Sequence, residues 1–159
     1  MTIRVAIAGG FDPFHDGHLQ HIEKAMELGD YLIVLVSNDE DMIRKKGKCN
    51  IPLQSRIKII RLMLKGLGFP GEVITTIDKD GTQAKTLRMM KPDIFAKGGD
   101  RTLNNMPQNE LIACSEIGCK IIYGVGKQIN QSSKMKLDWI QSQHDMVHDV
   151  IREEMLNCL

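Results

Sequence analysis

Ile3-Arg4-Val5-Ala6-Ile7-Ala8-Gly9-Gly10-Phe11-Asp12-Pro13-Phe14-His15-Asp16-Gly17-His18 is the stretch whose reading decides the fold. The apolar run Ile3–Ala8 reads as a buried strand, and Gly9–His18 as a glycine-rich turn that runs into a helix. That helix spans His18–Leu28, with Leu19, Ile22, Ala25 and Met26 on one face and Gly29 as its stop. A helix start carries unpaired backbone N–H groups and partial positive charge, so this turn suits an anion, phosphate above all. His15 and His18 stand beside it, and folding alone does not call for two imidazoles there.

Moving outward, Tyr31–Val36, Glu72–Ile77, Asp93–Ala96 and Lys120–Val125 read as further strands, the first of them continuously apolar as parallel strands are. Pro52 opens a helix whose stripe Leu53, Ile57, Ile60, Leu64 and Leu67 ends near Gly68. Gln83–Met90 is a short helix stopped before Pro92, and Gln108–Ile117 is another. This alternation predicts a three-layer α/β/α sandwich around a mostly parallel five-stranded sheet. From Ser132 to Leu159 the chain lacks Gly and Pro. Leu137, Ile140, Val147, Ile151 and Cys158 recur there at helical steps, and Trp139, Met146 and Val150 offer a second apolar surface. The expectation is one domain over 1–159, with a C-terminal helical extension from about residue 134 that packs on its own sheet or on a neighbouring subunit.

Composition narrows the function classes. The chain has 159 residues, 42% hydrophobic and 26% charged, which is ordinary for a globular domain with a proper core. A formal net charge of +1 and an aromatic share of 4% argue against a nucleic-acid module and against an anionic membrane surface. The longest apolar run, Tyr31–Val36, is far too short to span a bilayer. Met1 leads straight into a strand with no signal-peptide pattern. Cys49, Cys114, Cys119 and Cys158 show neither Cys-x-x-Cys spacing nor a zinc pattern, so free thiols in a reducing cytoplasm are expected.

In parallel sheets, ligands bind beyond the C-terminal strand ends. The loops there are Gly9–His18, Ser37–Ile51, Asp78–Thr82, Lys97–Pro107 and Gly126–Ser133, most of them rich in Gly, Lys, Arg, Asp or Ser. Gly10-Phe11-Asp12-x-x-His15-x-Gly17-His18 resembles the signature of the cytidylyltransferase-like nucleotidyltransferases, whose fold is Rossmann-like. Leu28-Gly29-Asp30, the Ser37–Gly47 region, Arg56, Lys97-Gly98-Gly99-Asp100 and the serine pair after Gln131 follow in the family's order. P-loop, dinucleotide-fingerprint and Gly-x-Ser-x-Gly patterns are missing.

The resemblance implies transfer of CMP or AMP from CTP or ATP to a small phosphorylated acceptor such as a polyol or sugar phosphate, with release of pyrophosphate. His15 and His18 would contact the triphosphate and stabilise the pentacovalent state, on a loop formed by Gly9, Gly10, Phe11, Asp12 and Gly17. Asp12 is expected to fix that loop or assist metal binding rather than act as a base. Within Arg44-Lys45-Lys46-Gly47-Lys48, taken as a mobile loop, Lys46 is the best match to a catalytic lysine, with Lys45 the fallback. Arg56 and Lys127 are expected at the acceptor phosphate. Lys97, Gly98, Gly99, Asp100, Ser132 and Ser133 are expected at the nucleotide. Arg101 stands where the glycerol-phosphate enzymes carry tryptophan, and the last motif has serines for threonines and no arginine. Mg2+ is expected to arrive with the triphosphate, without a protein ligand set. Relatives commonly dimerise, which implies a homodimer. Adenylyltransferases of the heptose-1-phosphate or FAD-synthesising kind, and a non-catalytic nucleotide-binding regulator, are the alternatives. His21 is expected to face elsewhere, and His144 with His148 to form a solvated or interface pair.

Overall fold

In the computed structural model, β1 (Arg4–Gly9) and β2 (Tyr31–Val36) pair in parallel from Arg4↔Tyr31 to Gly9↔Val36. Backbone order is described for residues 1–99, 101–126 and 132–157, and side chains in the last stretch for 134–135, 137–147 and 149. β3 (Gly71–Thr75) lies outside β2, while β4 (Ile94–Ala96) and β5 (Lys120–Ile122) extend the sheet beyond β1. The order is β3-β2-β1-β4-β5 and every pairing is parallel.

Alternate strand residues divide the core into two faces, because side chains of a strand point to opposite sides. Val5, Ile7, Leu32, Val34 and Val36 face α1 (Asp16–Met26) and α3 (Leu53–Leu67) through Ile22, Ala25, Ile57, Ile60 and Leu64. Ala6, Ile33, Leu35 and Phe95 face α4 (Ala84–Met90) and α5 (Gln108–Ile117) through Leu87 and Cys114. This is the expected Rossmann-like three-layer sandwich. The chain winds β1 to β2 to β3 in one direction and then returns to the other side of β1 for β4 and β5. The crevice between the loops after β1 and β4 is therefore the topological switch point.

Three local readings change. The segment read as a mobile loop contains α2 (Asp39–Lys46), capped by Asn38, whose side chain accepts from the Asp41 N–H at 2.8 Å. Its signal is charge rather than apolar period: Asp39, Glu40 and Asp41 occupy the first turn and Arg44, Lys45 and Lys46 the last, as the helix dipole favours. Gly29 does not stop α1, whose C-cap is Glu27. A Cβ at Gly29 would lie 2.7 Å from the Ile3 carbonyl oxygen, so glycine is needed there for close backbone approach. In α3 the stripe closes at Leu64, since Leu67 is exposed and Arg56 instead turns inward.

The chain divides into two compact units, Met1–Ile129 and Asn130–Leu159. The second is built on α6 (Ser132–Asn157), along which Leu137, Trp139, Ile140, Met146 and Val147 are exposed. Cys158, expected on its stripe, and the side chains of Ile151, His148 and Val150 lie outside the described residues. Among the described residues, no helix is long and apolar enough to cross a membrane.

Candidate active site

The first loop delivers both histidines to the start of α1. His15 is the N-cap, extended at φ −151°, and its Nδ1 accepts the Gly17 N–H at 3.1 Å. Its carbonyl accepts from the His18 and Leu19 N–H groups at 2.9 and 3.2 Å, so the turn is closed on its own backbone. The His15 and His18 rings stack with centroids 3.8 Å apart. Phe11 and Phe14 flank His18 at 5.0 and 5.6 Å and wall off its apolar side. Phe11 itself is buried at φ +52°, a left-handed conformation that an L-residue holds only when packing imposes it. Gly9 ends β1 against that ring, which a Cβ would press at 3.2 Å. A Cβ at Gly10 would run into the Met42 side chain of α2.

The charge state of the pair follows from this packing. Burial, then His15, Lys46 and His21, push the pKa of His18 down to about 3. Burial followed by Lys46 lowers His15 too, against an opposing pull from Asp16. Gly17 donates to His15 Nδ1, so the neutral ring carries its proton on Nε2. His18 Nδ1 is buried and has no hydrogen-bond partner. Two neutral imidazoles at a helix N-terminus are poised to meet negative charge and take up protons as it arrives.

That state has a measurable consequence. The folded pKa of His18 lies below its unfolded value of 6.5, so unfolded chains bind the proton first and stability falls as pH drops from 6.5 towards about 3. In an NMR titration, the His18 ring should stay neutral through pH 5, and added tripolyphosphate should raise its midpoint. A free-protein midpoint near 6.5 would contradict the packing described.

Asp12 and Arg56 build the frame beneath the histidines. The fully buried Asp12 carboxylate accepts from Asn50 N and Nδ2 at 2.8 and 3.0 Å and from Ile51 N at 2.9 Å. It ties the first loop to the segment before α3, the loop-fixing role of the two foreseen. Arg56, expected at the acceptor phosphate, is held inside the frame of the site. It is 1% exposed and donates to Gly10 O at 2.6 Å, Ser37 O at 2.8 Å, Ile51 O at 2.8 Å and Asp39 Oδ1 at 2.6 Å. Four of its donors thus hold the chain just beyond β1 and β2 together, and the guanidinium offers no face to a ligand.

Lys46, the last residue of α2, is exposed and close enough for its charge to act on both His15 and His18. Lys45 points elsewhere: its Cε lies 3.0 Å from where a Cβ on Gly81 would sit. Arg44 pairs with Asp41 and donates to Lys79 O, and Asn38 Nδ2 reaches Asp78 O at 3.4 Å. The loop between β3 and α4 is thereby fastened to α2. Asp78, fully buried, secures its far end through Lys85 N at 2.7 Å and Thr86 N at 3.0 Å.

Lys97, expected at the nucleotide, is 9% exposed, its Nζ lies 3.2 Å from Glu110 Oε2 and 4.3 Å above the Phe95 ring, and burial lowers its pKa against the pull of Glu110. Its cation is thus tied to the α5 side of the sheet. Gly98 and Gly99 follow as a short turn, closed by Arg101 N donating to Gly98 O at 3.0 Å. Asp100, Lys127 and Gln131, with the side chains of Ser132 and Ser133, lie outside the described residues. Among the described residues, Cys49, Cys114 and Cys119 are free thiols. Sequence reasoning overlooked Asn50, Asp39 and Glu110, the partners of Asp12, Arg56 and Lys97. Only the Asn38-Asp39 helix-start signature pointed towards any of them.

Known proteins are similar to this chain in sequence and fold. The cytidylyltransferase-like family model matches residues 6–123. The FAD synthase of Pyrococcus abyssi is 32% identical over 124 residues, 75% of this chain and 76% of that protein. The D-beta-D-heptose 1-phosphate adenylyltransferase of Bordetella bronchiseptica is 30% identical over 104 residues, covering 65% of this chain and 62% of that one. Among solved structures, a lipopolysaccharide core biosynthesis protein from Thermoplasma volcanium superposes with a TM-score of 0.61 at 28% identity, over 79% of this chain and 98% of that one. With its all-parallel sheet and its histidine-bearing first loop, the chain belongs to the cytidylyltransferase-like family and is a nucleotidyltransferase.

Proposed function

We propose that the protein transfers AMP from ATP to a small phosphorylated acceptor and releases pyrophosphate. The observation that carries this reading is the stacked, neutral His15–His18 pair at the start of α1, with Lys46 beside it. An acceptor phosphate oxygen attacks the α-phosphorus in line, a new P–O bond forms, and the bond to the β-phosphate bridging oxygen breaks. Negative charge spreads over the α-phosphate oxygens and the departing pyrophosphate, so the protein's task is alignment and charge stabilisation. The His15 Nε2–H supplies a donor, and Lys46 at the end of α2 supplies a cation. His18, raised in pKa by the arriving phosphates, follows the charge as it develops.

Mg2+ would neutralise the triphosphate as it binds. Among the described residues, no three His, Cys, Asp or Glu side chains gather to hold a metal, and both Asp12 oxygens are engaged by Asn50 and Ile51. The chain fits a metal already carried by the nucleotide.

Adenylyl transfer is favoured over cytidylyl transfer by the relatives, one named for FAD and one for heptose 1-phosphate. Those names make flavin mononucleotide and a sugar 1-phosphate the acceptors to test first. Purified protein is incubated with ATP or CTP and each of FMN, heptose 1-phosphate and glycerol 3-phosphate, with pyrophosphate and product mass as readouts. Release with ATP and one of the first two acceptors is expected. Release with CTP alone would overturn the adenylyl assignment. Nucleotide binding without release on any acceptor would favour a regulator.

A further inference from the structure

His21 takes no part in the phosphate chemistry above, yet it is directed into the same region. Lying one helical turn beyond His18, it was expected to face elsewhere. Its Nδ1 lies 2.6 Å from the Val125 carbonyl oxygen. A carbonyl only accepts, so Nδ1 carries the proton. The next residue, Gly126, has φ +83°, and a Cβ there would come within 3.1 Å of His21 Cα. The chain after β5 thus rests directly on the backbone of α1. Val125 is buried, and its N–H donates to Lys97 O at 2.9 Å, so the loop after β4 joins the same connection.

The connection crosses the switch point. On one side stand the loop after β1 and the His15–His18 pair; on the other stand the chain segments after β4 and β5. A nucleotide seated in that crevice touches both, its phosphates at α1 and its nucleoside towards 97–99 and 123–126. Beyond the pairing of β1 with β4, the His21 imidazole donor joins the two sides.

We propose that His21 is a positioning residue for the nucleoside half of the substrate: by holding Val125, and through it Lys97, to the second turn of α1, it lets one nucleotide engage both sides of the crevice at once. The proposal rests on the nucleotidyl-transfer reading above. His21 touches no reacting atom, so its loss weakens what depends on the far loops and spares what depends on the phosphates alone. Asparagine at this position keeps an amide donor near the place of Nδ1, whereas alanine removes it.

The test compares wild type, His21→Ala and His21→Asn for binding of inorganic tripolyphosphate and of ATP, for pyrophosphate release, and for melting temperature. In His21→Ala, tripolyphosphate affinity should stay within about twofold, while KM for ATP rises about tenfold with kcat changed less than about threefold, the loss expected of one hydrogen bond. His21→Asn should recover most of the ATP affinity. Amide exchange at Val125 and Gly126 should quicken in the alanine variant, a readout that needs no nucleotide. Equal weakening of tripolyphosphate and ATP, a fall in melting temperature alone, or no recovery by asparagine would overturn the proposal. A wild-type protein that binds no ATP and releases no pyrophosphate would instead overturn the nucleotidyl-transfer reading, and the nucleoside role of His21 with it.

Discussion

His18→Ala should lower turnover by about 10²–10³-fold, the usual cost of removing one preorganised donor from developing charge. The ring stacks on His15 at 3.8 Å and is walled by Phe11 and Phe14, so its position is set before substrate arrives. Ground-state binding of ATP should fall much less if, as proposed, His15 and Lys46 still meet the triphosphate. Deleting the ring also removes an orphaned buried nitrogen and a depressed titration, so the variant should keep its fold and lose part of the acid sensitivity of the wild type. Steady-state kinetics at saturating ATP, with melting curves at pH 5 and pH 7, separate these effects. Undiminished turnover would remove His18 from the mechanism.

Arg56→Ala should act on stability rather than on chemistry alone, with a loss of about 3–5 kcal/mol, because it strands buried carbonyl acceptors and leaves a cavity. Three carbonyl groups, Gly10 O, Ser37 O and Ile51 O, lose their donor, and Asp39 loses its cation. For a domain of this size such a loss takes most of the folding free energy, so low yield of folded protein is itself an expected result. Arg56→Lys should rescue little, because one ammonium cannot reproduce donors aimed at carbonyls on separate segments. Urea unfolding of the lysine variant checks this. A midpoint within error of wild type would contradict the structural role given to the guanidinium here.

Much of this protein was legible from period and punctuation. From Val5 onward β1, and all of β2, are apolar because both faces are covered, so the parallel sheet could be read directly. Pro52 and Gly68 bracket α3 as a helix start and stop should, with Gly68 at φ +66°. α2 was hidden because it is short and nearly all polar. Its caps and its charge gradient were present, but apolar spacing was the wrong measure for it. Gly29 misled for a related reason: a glycine after a helical pattern reads as a stop, whereas a contact with Ile3, far away in sequence, is what requires it.

The candidate site divides along the same line. The His-x-Gly-His segment determined by itself that two imidazoles stand together at the start of α1, because the strand, the turn and the helix start are all local. How the cations around it are partnered was set by tertiary structure. The sequence could rank Lys46 above Lys45, but only the fold shows Arg56 buried against carbonyls, Lys97 paired with Glu110, Lys45 directed towards Gly81 and Lys46 beside the histidines. Burial and partnership depend on residues distant in the chain, and a charge becomes structural or available according to what the fold brings against it.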